Sequence, residues 1–178
     1  YQTVFAQNRG AIAAPTAGLH FTPEILQQIK DIGVTITEIT LHVGYGTFEP
    51  VRVNDLSEHS VMPEQCEISA ETAEILNIAK AEKRRIIAIG TTTTRAIESA
   101  TSIDGKVLAG RRLADITITP GYKFRVIGGL LTNFHLPQSS LLVLVSTFGG
   151  HELIMDAYKH AVSEKYRFYS YGDCTFIF

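Results

Sequence analysis

Histidines recur where this chain changes direction. His20 closes APTAGLH, His42 stands in TLHVGYG, and His135 follows Asn133 in LLTNFHLPQ. Each sits at a junction between an extended run and a turn or helix start, where α/β proteins place their ligands. A neutral imidazole accepts a proton and an imidazolium returns it, so gathered histidines suit acid–base chemistry. Junctions of one kind collect on one rim of a sheet, so at least two of the three are expected to converge. A lone His in such a place is more often structural; the company of the others argues for a site.

The segment GTTTTRAIES, residues 90–99, brings four threonines to a helix start behind a strand and a glycine. Free backbone N–H groups and the positive helix end favour an anion there. Thr91 and Thr92 are candidate donors, and Arg95 lies one turn inside. Two readings stand for the threonines: a carboxylate or phosphate site, or a Thr-capped helix packed on a sheet. Arg95 could hold such an anion or pair with Glu98 at i,i+3. The Walker lysine and its spacing are missing, which argues against a nucleoside triphosphate.

Gly44 and Gly46 would let backbone approach a ligand, or simply form a turn. In SEHSVMPEQCE, His59 and Glu64 could share acid–base work or lie in a solvated connector. YRFYSYGD gathers Tyr166, Phe168, Tyr169 and Tyr171 around Arg167. Such a group could stack a base or close the edge of a core. Asp173 follows as a turn residue or a hydrogen-bond acceptor. No HExxH, CxxC pair or other metal-ligand spacing is present, so no metal is expected. Cys66 and Cys174 read as small buried hydrophobes.

The elements that must position these groups alternate in type. Helices are expected at 23–32, with Thr22 as cap, at 70–84 after Ser69, and at 91–100. Two more, 139–148 and 151–165, are split by Gly149-Gly150. Ile25, Leu26, Ile29 and Ile32 share one face of the first, and Ala73, Leu76, Ile78 and Ala79 point inward on the second. Strands are expected at 34–43, at 85–89 as a buried and parallel element, and up to Pro137. Extended pieces are expected at 47–53, 114–119 and 122–127, and after Tyr166. Residues 101–113 read as a mobile loop. Helices alternating with buried strands give an α/β fold, a single domain over 1–178. His42, Thr91, Arg95 and His135 are expected to face one cleft.

At 178 residues and 45% hydrophobic, the chain can fill a core without disulfides. The net charge of −2 argues against a surface that grips nucleic acid everywhere. Apolar runs such as LLVLVSTF are too short to span a bilayer, and no signal peptide opens the chain. A reducing, cytoplasmic setting follows as an expectation. The start, YQTVFAQ without Met, points to processing or to a piece of something longer.

YQTVFA, APTAGLHFT, TLHVGYGTFEPV, GTTTTRAIES, PGYKF, LLTNFHLPQSSLLVLVS, AYKHAV and YRFYSYGD stand in one order. In that order they resemble the S-adenosylmethionine:tRNA ribosyltransferase-isomerases of queuosine biosynthesis. The resemblance implies the C-terminal portion of the family's main α/β domain, a mixed sheet flanked by helices, without the family's inserted β-rich domain. It implies transfer and isomerisation of the ribosyl part of S-adenosylmethionine onto 7-aminomethyl-7-deazaguanine in tRNA. Epoxyqueuosine forms, and adenine and methionine leave. S-adenosylmethionine is then a co-substrate and no true cofactor is implied; the full-length protein is expected to be a monomer.

The implied acid–base set is His20, His42, His59, Glu64, His135 and Asp173. The implied binding set is Gly44, Gly46, Thr91, Thr92, Arg95 and Asn133. A His or Glu64 would be the base, and Asp173 or a His the acid. Lys83, Arg84, Arg85, Arg111 and Arg112 are candidates for tRNA contact or simply solvated charges. Met62 departs from the family, whose members usually carry a second His there. The rival reading is a non-catalytic RNA-binding or scaffold fragment; a generic α/β small-molecule enzyme leaves the joint pattern unexplained.

Overall fold

The computed structural model describes residues 2–44, 46 and 50–178. Tyr1, Tyr45 and residues 47–49 lie outside the described residues, and with them part of the Gly44–Gly46 turn and the start of the extended piece expected at 47–53.

Helix α1, Pro23–Asp31, starts where Thr22 accepts a hydrogen bond from the Ile25 amide, with proline at the first helical position. Its apolar stripe is not inward: the helix buries none of its residues, and Ile32 just beyond it is 79% exposed. Strand β1 is only Thr40–His42. Residues 34–39 form no ladder. They pack instead on the start of helix α2, Ala70–Ala81, where the Thr72 hydroxyl meets Thr37 and donates to the Glu38 carbonyl. Ala73, Leu76 and Ala79 of α2 are buried, whereas Ile78 is exposed. The helix stops short of Arg84, with Lys83 in the left-handed region (φ 57°).

Strand β2, Glu64–Ile68, pairs antiparallel with β1 and with β4, Gly110–Ala114. The loop expected at 101–113 therefore ends in a strand, and a Thr101–Val107 bridge closes its first half. Strand β3, Ile87–Ile89, runs parallel to β5, Gly129–Asn133, and β6, Cys174–Ile177, closes the other edge antiparallel. The strands thus form two three-stranded sheets, the second of them mixed. No ladder forms at 115–127. There the amides of Arg125, Val126 and Ile127 all donate to the buried Glu98 carboxylate. A side chain has taken the donors that a strand would have used.

Helix α3, Thr91–Ser99, lies between the sheets. Ala96 faces Cys66 and Ala114 of the first sheet, while Ile97 and Ala100 join the main core with Ala88 and Leu130 of the second. Helices α4, Ser140–Gly149, and α5, His151–Ser163, complete that core through Leu144, Val145, Ile154 and Tyr158. Phe134, Tyr158 and Phe168 stack at its edge, with ring centroids 5.1–5.7 Å apart. Of the aromatic run after α5, Phe168 is therefore core edge, whereas Tyr166, Tyr169 and Tyr171 are exposed.

Candidate active site

Strands β3 and β5 run side by side in the same direction, and both end at one cleft. From β3 the chain passes through Gly90 (φ 94°) directly into α3, so Thr91 and Thr92 form one wall. From β5 come Thr132, Asn133 and, two residues on, His135. Thr16 and Val43 close the cleft from outside the sheet. Only glycine reaches the Gly90 conformation without strain. A glycine cap has no side chain for the first α3 amides, whereas Thr22, Ser69 and Ser139 cap α1, α2 and α4. The cleft therefore receives uncapped N–H donors and the positive end of a helix. Among the described residues its volume is ≈ 40 Å³.

Asn133 joins two further groups to this rim. Its side-chain oxygen accepts from the Thr16 hydroxyl at 3.2 Å, and its amide nitrogen faces His20 Nε2 at 3.0 Å. In that arrangement Nε2 accepts and the ring proton sits on Nδ1. Burial lowers the His20 pKa, and nearby Asp173 pulls against that shift. Asp173 is itself clamped by Arg167, with 2.9 Å to Nη2 and 2.7 Å to the Arg167 amide, and these bonds hold its pKa below the usual carboxylate range. A carboxylate held ionised is a poor proton donor.

His135 is 7% exposed, its Nε2 lies 3.1 Å from the Thr132 hydroxyl, and its amide donates to Tyr158 Oη. Burial pushes its pKa down to about 4. At neutral pH it is an uncharged hydrogen-bonding wall.

The remaining candidates lie elsewhere. Arg95 is 2% exposed and does not reach the cleft. Its guanidinium donates to Glu64 at 3.0 Å and to the carbonyls of Ile116, Met62 and Ala114. Four of its five N–H groups are thus committed within the protein, and neither a ligand anion nor Glu98 is their partner. Glu64 offers its second oxygen to the Gly44 amide at 3.1 Å, so the carboxylate expected as a base is engaged. His42 belongs to the first sheet; its Nδ1 is buried beneath Gly10, with no hydrogen bond among the described residues. Its neighbour Val43, not His42, lines the cleft.

His59 borders a separate hollow behind Leu141, with Nε2 2.7 Å from the Ser140 hydroxyl. Gly46 packs on Met62, whereas an added Cβ at Gly44 would meet open space. Of the four residues expected on one cleft, Thr91 and His135 are there and His42 and Arg95 are not. Sequence reasoning missed Thr16 and Thr132. Thr132 carries a readable signal, three residues before His135. Tyr169 turns in at φ 70°, a conformation that its residue type does not announce.

The basic candidates are spread over several elements. Arg84 pairs with Glu82, Arg111 pairs with Glu67, and Arg85 lies over the Phe178 ring, 5.3 Å from its centroid. No helix among the described residues is long and apolar enough to cross a membrane.

An uncapped helix start, hydroxyls and a neutral imidazole meet at the carboxyl ends of parallel strands, where α/β folds place their ligands. The family model for the queuosine biosynthesis protein matches residues 1–177, and the chain belongs to that family. It is 55% identical over 177 residues to the S-adenosylmethionine:tRNA ribosyltransferase-isomerase of Citrifermentans bemidjiense, covering 99% of this chain and 52% of that protein. The enzyme of the same name from Natranaerobius thermophilus is 52% identical, again over 52% of its length. The crystal structure of S-adenosylmethionine tRNA ribosyltransferase from Thermotoga maritima matches with a TM-score of 0.73 and 37% identity, over 92% of this chain and 51% of that one. The chain spans about half the length of these relatives.

Proposed function

We propose that this chain supplies one wall of a ribosyltransferase-isomerase site. The substrates would be S-adenosylmethionine, as co-substrate, and 7-aminomethyl-7-deazaguanine in tRNA. The ribosyl part moves to the amine and is isomerised to epoxyqueuosine, with adenine and methionine released. The observation that carries this reading is the cleft itself: uncapped α3 amides beside Thr91 and Thr92, and on the same cleft Asn133, which is hydrogen-bonded to His20. The methionine carboxylate suits the helix start. The acidified carbons next to the sulfonium, the departing adenine and the attacking amine each need a proton moved, which suits His20. Asp173 keeps a negative charge beside that imidazole. His135, uncharged, would hold substrate rather than exchange protons.

Small-molecule sites usually enclose roughly 300–1,000 Å³. A cleft of ≈ 40 Å³ needs further walls. The test is adenine release from S-adenosylmethionine in the presence of tRNA carrying the aminomethyl deazaguanine. A polypeptide joining this chain to the further half that its relatives carry is expected to turn over, and the 178-residue chain alone is not. Turnover by the chain alone at the rate of the longer one would place the whole site within residues 1–178.

A further inference from the structure

The Arg95–Glu64 pair is buried outside the cleft, yet its hydrogen bonds reach the backbone next to a cleft residue. One Glu64 oxygen takes Arg95 Nη1 at 3.0 Å, and the other takes the Gly44 amide at 3.1 Å. Gly44 directly follows Val43, which lines the cleft, while Thr91 and Thr92 line the wall formed by α3. Arg95 sits one turn along that same helix. The α3 wall is thereby linked to the segment that follows β1 along one path: α3, Arg95, Glu64, Gly44. A buried ion pair seldom adds net stability over apolar residues of similar volume, and its best-attested use is to fix one arrangement among several. Hydrogen bonds to a charged acceptor are also stronger and more directional than neutral ones.

We propose that Glu64, held by Arg95, is a positioning residue that locks the Gly44 backbone, and with it Val43, against the α3 wall of the cleft. The proposal rests on the transferase reading for its effect on rate, but not for its geometry.

Two measurements separate the two. In the 178-residue chain, Glu64→Gln should move the Gly44 amide proton resonance upfield and speed its exchange with solvent. In the polypeptide of the relatives' length, the same change should lower kcat for adenine release by roughly ten- to a hundredfold, the cost of a misplaced reacting group. KM for S-adenosylmethionine should change much less. Glu64→Asp keeps a carboxylate for Arg95 and serves if the Gln variant does not fold; it should show the same amide change and a partial kcat loss. An unmoved Gly44 resonance in a folded variant overturns the latch, whether or not the longer polypeptide is active. A displaced Gly44 amide with unchanged kcat overturns its role in positioning. Absence of turnover in the unmodified longer polypeptide sinks the transferase reading alone, and the amide measurement still decides the latch.

Discussion

Arg95 illustrates how far a residue's type lies from its task. A guanidinium just inside a helix start invites an anionic ligand, yet here it ties Glu64 to three backbone carbonyls from neighbouring segments. Removing it takes the cation away from a buried carboxylate, which costs about 3–5 kcal/mol. Arg95→Ala is therefore expected to lower Tm by on the order of 10 °C, read by calorimetry. Arg95→Met with Glu64→Leu should recover much of that loss, because no charge is then stranded. Equal damage in both variants would count against the ion-pair explanation.

His135 gives a pH signature. Its folded pKa of about 4 lies below the ordinary 6.5, so between those values the unfolded chain binds the proton more readily. Stability from this residue is complete above pH 6.5 and falls as pH drops toward 4, by roughly 1.4 kcal/mol per pH unit. His135→Gln, which cannot take up the proton, should flatten that slope in urea titrations between pH 4 and 7. An unchanged slope would move its cause to another group.

At the scale of elements, the 167–173 loop turns on a glycine. The Asp173 amide donates to the Arg167 carbonyl at 2.7 Å, and Gly172 lies so close that an added Cβ would collide with that carbonyl oxygen. Gly172→Ala should open the loop, release the Asp173 carboxylate from Arg167 and withdraw its charge from His20. The pKa of His20, followed by NMR, is expected to fall further, since Asp173 is what holds it up. A rise would mean that the carboxylate acts in some other way. The fold outside the loop should persist, because β6 keeps its four-residue ladder with β5.

Across the whole molecule, apolar side chains remain in water. Ile32, Leu153 and Val162 are exposed on helices and their ends, and Phe176 and Phe178 are exposed at the edge strand β6, Phe178 by 76%. Unpaired edges and large apolar patches promote association. The isolated chain is expected to self-associate as concentration rises, detected by sedimentation velocity. Phe176→Lys with Phe178→Glu should suppress it; association that persists unchanged would point to another surface.

Much of this architecture is determined by short-range chemistry alone. Ser or Thr caps mark the starts of α1, α2 and α4, Gly90 and Gly150 mark breaks, and the apolar run before Gly90 becomes a parallel strand. These features depend on backbone conformation and neighbours a few residues away, which a sequence displays. The family resemblance likewise rests on the order of motifs. Only the tertiary structure decided which chemistry-bearing residues meet. Asn133 reaches His20 across 113 positions, and Glu64 takes Arg95 from 31 away. It also decided that residues 125–127 give their amides to Glu98 rather than to a ladder, and that α1 buries none of its residues. A charged side chain takes its partner from whatever long-range packing sets beside it, and a buried one must find a partner there; residue type fixes only what that partner must be.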